Sequence, residues 1–220
     1  MMMKILVLAA HPDDEVLGMG GTIKKLSDLG NKIHLCVVSE GASAQYKNKK
    51  MIKIRENACI KSGKKLGIAS FSFLGFPDAK LDSIPQVEIN IQIEKVVSKF
   101  HPDIVYTISG GDGSKDHEKV FDSTVVACRA FKTKIKKIIS YELPGPRIFP
   151  FEPNIYEDVT KEMQFKNKAF SIYASEMEKY PHPRSIESIE SLAKYRGTQV
   201  GLSLAESFKL IYEINSKQRL

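Results

Sequence analysis

One histidine and two aspartates stand within four residues of each other, directly after the apolar run at positions 5–9. His11 and Asp14 offer an imidazole nitrogen and a carboxylate oxygen, which are both common ligands of a divalent metal such as zinc. Asp13 is then free to accept a proton from water, as the general base of a hydrolytic reaction. A helix cap formed by one of the aspartates is the alternative explanation, but capping accounts for one acid and not for the whole group.

A third candidate ligand, His117, follows a glycine-rich loop at positions 109–115. That loop comes after the fourth predicted strand, and strands one and four are usually neighbours in an open parallel sheet. Such sheets bind ligands at the carboxyl ends of their strands, where the strand order reverses. We therefore expect His117 to meet His11 and Asp14. Two histidines and one carboxylate leave one coordination position open, as in catalytic zinc sites.

The elements that must position these residues follow from the hydrophobic pattern of the first 140 residues. Short apolar runs rich in β-branched residues predict strands at 5–9, 33–38, 70–74, 104–108 and 135–140. Segments of helical period predict helices at 15–29, 51–66, 87–100 and 117–131. Strands that are apolar throughout and alternate with helices are typical of a parallel sheet covered on both faces. The sequence thus predicts an α/β fold with a Rossmann-like, mostly parallel sheet.

The pattern changes after position 141, where four prolines fall between positions 144 and 153. They predict a long ordered loop over the edge of the sheet. Beyond it we predict helices at 161–180 and 186–195 and a closing strand at 208–214. We expect one domain over residues 1–220, in which 1–142 form the Rossmann-like core. Residues 143–220 would form a C-terminal extension with a substrate-side loop, helices and the closing strand.

Composition limits the classes of partner. The chain has 220 residues and a formal net charge of +7, which favours anionic partners such as a phosphorylated or nucleotide-linked small molecule. The basic residues are dispersed and not interleaved with aromatic residues, so a solvated surface explains them better than nucleic-acid binding, which rests on charge alone. No stretch approaches the ~18 apolar residues of a membrane span. Three cysteines without CxxC spacing indicate buried thiols in a reducing cytoplasm.

Three glycines in the first predicted helix, at positions 18, 20 and 21, invite comparison with dinucleotide-binding loops. The GxGxxG fingerprint lies in the turn before a helix, whereas these glycines lie inside one. Close packing of this helix on the sheet is the better explanation.

The motif Ala-His-Pro-Asp-Asp-Glu-Val-Leu-Gly-Met-Gly-Gly-Thr at 10–22 resembles the signature of the PIG-L-like, or LmbE-like, zinc-dependent N-acetylglucosamine de-N-acetylases. The resemblance covers nearly the whole chain. It includes Ile54-Arg55-Glu56, Leu74-Gly75-Phe76-Pro77-Asp78 and Asp116-His117. One bacterial branch is similar in the segments Pro181-His182-Pro183-Arg184-Ser185, Tyr195-Arg196-Gly197 and Ala205-Glu206-Ser207-Phe208.

This resemblance implies roles for particular residues. His11, Asp14 and His117 would bind zinc, although Fe²⁺ is compatible with the same ligands, and Asp13 would be the general base. Arg55 and Asp78 would reach the sugar hydroxyls or the phosphate side of the substrate; a surface ion pair for Arg55 and a turn for Asp78 are the alternatives.

The sequence departs from the family pattern at Ser114, where many members have a histidine that helps to stabilise the oxyanion. Our candidate for that role is His182, between two prolines, with Arg184 beside it as a second substrate-side residue. The alternative is that Pro-His-Pro only terminates a helix.

The implied reaction is hydrolysis of the N-acetyl group of an amino sugar or amino-sugar conjugate, with release of acetate, by a cytoplasmic enzyme. The alternative is a member of the same fold that binds metal or sugar without catalysis. A homo-oligomer is compatible with the sequence, since the proline-rich loop could complete a neighbour's pocket.

Overall fold

A seven-stranded sheet forms the centre of the protein in the computed structural model, which describes residues 2–215. The strand order is β3-β2-β1-β4-β5-β7-β6. The first five strands run parallel, whereas β7 is antiparallel to β5 and to β6. The strand bounds are β1 Lys4–Ala9, β2 Lys32–Ser39, β3 Ser70–Phe76, β4 Ile104–Ile108, β5 Lys137–Tyr141, β6 Ile155–Asp158 and β7 Ala205–Glu213.

Helices cover the sheet on both faces. Their bounds are α1 Asp14–Asp28, α2 Lys50–Leu66, α3 Gln86–Phe100, α4 Lys115–Ala127, α5 Met163–Phe170 and α6 Ile186–Thr198. Helix α1 packs on α2 and α5, and α3 packs on α4. The chain passes from β1 outward to β3 and then returns to β4, so right-handed crossovers place α1 and α2 on one face and α3 and α4 on the other. The predicted Rossmann-like fold is confirmed, including the adjacency of the first and fourth strands.

The central strands are apolar because both of their faces are buried. Residues 5–9 of β1 have no exposed surface, and residues 33–39 of β2 are buried as well. Burial on both sides removes the alternation of apolar and polar residues that a half-exposed strand would show. None of the helices within residues 2–215 combines the length and the apolarity that crossing a bilayer requires.

The second half of the chain differs from the sequence prediction in two places. The helix predicted over 161–180 is wrong in its length, because α5 ends at Phe170 and residues 171–185 form turns. Tertiary contacts replace helical ones there: the Tyr173 hydroxyl donates to Glu15, and Glu176 pairs with Arg55. The short edge strand β6 was not predicted, since it has four residues and ends in two acids.

The predicted helix over 117–131 is also too long at its end, since α4 stops at Ala127. Phe131, the last residue of that predicted helix, lies beyond α4 and is 84% exposed. The closing strand is longer than predicted and begins at Ala205 instead of position 208.

Close packing explains the glycines of α1, as predicted. A methyl group at Gly18 would overlap the ring of Tyr141 on β5, and one at Gly21 would lie 2.8 Å from the side chain of Val159. The helix is kinked at Met19, and beyond the kink the backbone N–H groups of Gly21 and Thr22 donate to Glu206, at 3.0 and 2.7 Å.

We expect Gly18→Ala to lower the free energy of unfolding by about 1–3 kcal/mol, because the new methyl group must displace Tyr141 or the helix. Gly113→Ala is the matched control, since a methyl group there meets no atom within 4 Å. It should change stability by less than about 0.5 kcal/mol. Urea denaturation of both variants checks the prediction, and an equal effect of the two substitutions would contradict it.

Candidate metal and hydrolase site

The candidate site lies where β1 and β4 end, side by side in the sheet. His11, Asp13 and Asp14 follow β1, and the loop after β4 leads into α4, which carries His117 in its first turn. The two segments meet although they are far apart in the sequence. Strands β2 and β3 lie on one side of β1 and β4 lies on the other, so the strand order reverses between β1 and β4.

Three side chains converge in the way that the sequence predicts for metal ligands. His11 Nδ1 lies 3.3 Å from His117 Nε2 and 3.6 Å from Asp14 Oδ2. His117 Nε2 lies 3.7 Å from Asp14 Oδ1. In a tetrahedral zinc site with bonds of about 2.0–2.1 Å, neighbouring ligand atoms lie about 3.3 Å apart. The donor atoms therefore fit a divalent cation, and the three residues form one of two such His/Asp groups within residues 2–215.

Outer carboxylates orient both imidazoles. His117 Nδ1 lies 2.6 Å from Asp112 Oδ2. His11 Nε2 lies 3.0 Å from Asp116 Oδ2 and 3.3 Å from Asp78 Oδ1, and these three residues are the second His/Asp group. A carboxylate that accepts the distal N–H of a histidine leaves its other nitrogen available to a metal. Asp116 is itself held by backbone N–H groups, those of residues 79 and 81.

The carboxylates around the imidazoles make the site favour positive charge. Burial alone would lower the pKa of His11, but hydrogen bonds to Asp116, Asp14 and Asp78 raise it well above the ordinary value. Burial alone would raise the pKa of Asp14, yet His117 and His11 hold it well below its usual range. The same demand for positive charge would be met by a divalent cation between the three ligands.

Asp13 is completely buried and is not a helix cap. It precedes α1 with no capping hydrogen bond from its side chain, and its backbone has a strained φ of 135°. Its Oδ2 lies 3.3 Å from the guanidinium of Arg55 and 3.5 Å from that of Arg184, whereas its Oδ1 has no hydrogen-bond partner among the described residues. Burial raises its pKa to about 6, although the two arginines lower it. A carboxylate with one free oxygen and such a pKa is suited to accept a proton near neutral pH.

Arg55 and Asp78, predicted on the substrate side, lie below the surface. Arg55 is 2% exposed, so the alternative of a surface ion pair is wrong, and it also donates to the carbonyl of Pro12. Asp78 is 5% exposed and accepts the N–H of Ala44 at 3.4 Å in addition to its contact with His11. The segment 41–46, which follows β2, lies over both residues: Gly41 approaches Arg55, and Ala44 approaches Asp78.

The other two predicted substrate-side residues reach the mouth of the site. His182 is exposed, and its Nδ1 accepts the N–H of Arg184. Both line a cavity of about 320 Å³, whose walls also include Asp14, Ser114, His117 and Pro144. Ser114 caps α4 by accepting the N–H of His117 at 3.4 Å, so its hydroxyl already has a structural task.

Sequence reasoning missed two residues of the site. Asp112 orients His117 and could have been found from its place five positions earlier in the same loop. Glu176 pairs with Arg55 and Arg184, but it lies in a segment predicted to be helical and outside the quoted motifs, five residues before the segment 181–185. No local pattern distinguishes it from a surface glutamate.

Comparison with known proteins agrees with this geometry. Residues 6–128 match the family model PIG-L, described as GlcNAc-PI de-N-acetylase. An uncharacterized deacetylase of Escherichia coli K12, YaiS, is 31% identical over 163 residues, which are 72% of this chain and 83% of that protein.

Two solved structures show how widely the fold is used. N,N′-diacetylchitobiose deacetylase from Pyrococcus horikoshii superposes with a TM-score of 0.81 at 23% identity, over 98% of this chain and 87% of that one. GalB, a 4-carboxy-2-hydroxymuconate hydratase from Pseudomonas putida, also has a TM-score of 0.81, at 20% identity over the full length of both chains. The likeness to these two structures shows the shared α/β fold, while the family match and YaiS show the lineage. The chain therefore belongs to the PIG-L family, and deacetylases are its relatives there.

Proposed function

We propose that this protein removes the N-acetyl group from an amino sugar or amino-sugar conjugate by metal-dependent hydrolysis, releasing acetate. The observation that carries the proposal is the convergence of His11, Asp14 and His117 next to Asp13, whose Oδ1 has no hydrogen-bond partner within residues 2–215. Membership of the PIG-L family supports the amide as the bond that is cleaved. Zinc is the proposed metal, and Fe²⁺ suits the same ligands.

The proposed reaction needs one residue to move a proton twice. A divalent cation held by His11, Asp14 and His117 would make water more acidic and polarise the acetyl carbonyl. Asp13 accepts the proton of the attacking water while the new carbon–oxygen bond forms. It then donates that proton to the sugar nitrogen as the carbon–nitrogen bond breaks. The products are acetate and a free amino sugar.

The remaining predicted residues are proposed to act on the sugar side. His182 and Arg184 line the cavity, which places them within reach of a substrate bound there. Arg55 and Asp78 lie deeper, so a sugar could contact them only if the segment 41–46 moved away from them. The name of the Pyrococcus relative supports a di-N-acetylated amino sugar as one substrate to test. Phosphorylated and nucleotide-linked forms are the others, in view of the net charge of +7.

We also infer a cytoplasmic location and a single domain. Cys36, Cys59 and Cys128 are buried free thiols, which supports a reducing compartment. Strands β6 and β7 join the same sheet as the first five, which supports one folding unit for both parts of the chain.

A screen for released amine tests the proposed reaction. Acetylated amino sugars, the diacetylated disaccharide and nucleotide-linked forms would each be incubated with the protein, with added zinc and with chelator. We expect release of equal amounts of amine and acetate that depends on the metal. Zinc binding without release from any of these substrates would instead favour the non-catalytic metal- or sugar-binding alternative, which rests on Ser114 in place of the family's histidine.

We expect Asp13→Asn to lower kcat by about 10²–10⁴, the range for a positioned proton-transfer group. The metal content should stay unchanged, because the ligand atoms belong to other residues. Acetate release and elemental analysis of the purified variant check both parts. Full turnover by this variant would end the assignment of Asp13 as the base.

We expect Asp112→Asn to weaken zinc affinity by about 10- to 100-fold, because His117 loses the carboxylate that orients it. His117→Ala should weaken affinity further. Competition with a chromophoric chelator measures both effects. Asp122→Asn is the control, because Asp122 is exposed on α4, the helix that carries His117. This variant should bind zinc as the wild type does. Unchanged affinity of the Asp112 variant would refute the orienting role.

We expect His182→Ala to lower kcat by about 10²-fold if its free Nε2 donates to the oxyanion. Ser114→Ala should leave kcat near the wild-type value and reduce stability by about 1 kcal/mol, since it removes a helix cap. Steady-state kinetics and urea denaturation separate the two. The reverse result, a rate loss only in the Ser114 variant, would assign oxyanion stabilisation to the serine.

A further inference from the structure

Two arginines and two carboxylates close a ring of charges at the candidate site. Arg55 Nη2 lies 3.3 Å from Asp13 Oδ2 and 3.3 Å from Glu176 Oε2. Arg184 lies 3.5 Å from Asp13 Oδ2 and 3.0 Å from Glu176 Oε2. Each arginine therefore touches both acids, and each acid touches both arginines. We refer to these four residues, Asp13, Arg55, Glu176 and Arg184, as the charge ring.

Glu176 is the part of the charge ring that the rest of the protein holds in place. Its side chain is 1% exposed, and its second oxygen, Oε1, accepts hydrogen bonds from the Tyr46 hydroxyl at 3.1 Å and the Ser175 hydroxyl at 3.0 Å. A buried carboxylate is tolerated only when its oxygens are paired, and here both are. Glu176 is thus held through Oε1 by Tyr46 and Ser175, and its Oε2 contacts the two arginines.

Arg184 is the member of the charge ring that most needs such an anchor. Arg184 comes from the irregular segment 171–185, and 29% of its side chain is exposed. Its contact with Asp13 is longer than its contact with Glu176, at 3.5 against 3.0 Å. Among the described contacts of the Arg184 guanidinium, the one with Glu176 is the contact that can hold it next to Asp13. Without Glu176, the carboxylate of Asp13 would keep Arg55 as the one guanidinium holding its Oδ2 among the described contacts.

We propose that Glu176 is a positioning residue, which holds Asp13 through Arg55 and Arg184 so that Oδ2 is occupied and Oδ1 is left for the proton transfer. The inference rests on the proposed function of Asp13 as the base. Among the described contacts, Glu176 reaches Asp13 only through the two arginines, so its proposed effect on the reaction passes through them.

The tests compare Glu176→Gln with Glu142→Gln. Glu142 is a matched control, because it is also a buried glutamate paired with an arginine, Arg196, at 2.7 Å, and it lies outside the charge ring. Acetate release, metal content and melting temperature would be measured for each full-length protein. We expect Glu176→Gln to lower kcat by about 10- to 100-fold, the scale of an effect of misplaced reacting groups. KM should stay within about twofold of the wild-type value and the metal content should be unchanged.

Several outcomes overturn the inference. A kcat of Glu176→Gln within about twofold of the wild-type value would contradict it. So would a loss of kcat no larger than that of Glu142→Gln, when both rates are expressed per amount of folded protein. An equal loss caused by Glu176→Gln in wild-type and Arg184→Ala backgrounds would do the same, because residues that act through each other are non-additive. If Glu176→Gln does not fold, Glu176→Asp, which keeps the charge, takes its place in the same comparison.

Failure of the proposed function would look different. If the wild type releases no acetate from any acetylated amino sugar, the reaction is wrong, and melting temperatures then decide the inference. Asp13→Asn, Glu176→Gln and the double variant should shift the melting temperature non-additively if the charge ring couples the two acids. Additive shifts would overturn the inference independently of activity.

Discussion

The balance of charge around two imidazoles is the constraint on which the site depends. Carboxylates of Asp14, Asp78, Asp112 and Asp116 approach His11 and His117, with contacts between 2.6 and 3.7 Å. Acids at this density repel one another unless positive charge lies between them. The raised pKa of His11 and the lowered pKa of Asp14 express that demand. A cation between the three donor atoms would satisfy it, and the outer acids would still orient the rings.

A second arrangement of charges lies next to the first and needs no added ion. The charge ring has two positive and two negative members, and each contact is made within the protein. Among the carboxylate oxygens of the charge ring, Asp13 Oδ1 is the one without a hydrogen-bond partner within residues 2–215; on the arginine side, Arg55 Nε is also unpartnered there. The protein therefore separates two tasks: one group of carboxylates favours a cation, and a neighbouring neutral group leaves a single oxygen available for a proton.

The C-terminal part of the chain helps to hold the helix that begins at this site. Glu206 on β7 accepts two backbone N–H groups of α1 and pairs with Lys166 at 2.7 Å, which ties α1 to α5 and β7. Because Asp14 opens α1, these contacts help to place a proposed metal ligand. A hydratase shares the same fold at a TM-score of 0.81, so the fold alone does not select the reaction. The identity of the side chains at the strand ends must do so.

Local pattern was sufficient to predict the core and to single out the side chains that converge at the candidate metal site. Strands such as β1 and β2 were predictable because continuous apolar runs are needed when both faces of a strand are buried. His11, Asp14 and His117 could be singled out because they follow the ends of two predicted strands that are neighbours in such a sheet. The helix predicted over 161–180 was wrong after Phe170, since side chains of Tyr173 and Glu176 turn inward to partners distant in sequence. Strand β6 was missed because four residues at an edge carry too little hydrophobic pattern.

By itself, then, the sequence determined the class of fold, the donor atoms and the candidate base, because these depend on residue types and on spacing along the chain. Only the tertiary structure decided that Arg55 and Asp78 lie below the surface and that Glu176 joins two arginines to Asp13. The contact between Glu176 and Arg55, for example, joins two segments that are more than a hundred residues apart in the sequence. Electrostatic pairing acts over a few ångströms in space and leaves no periodic trace along the chain.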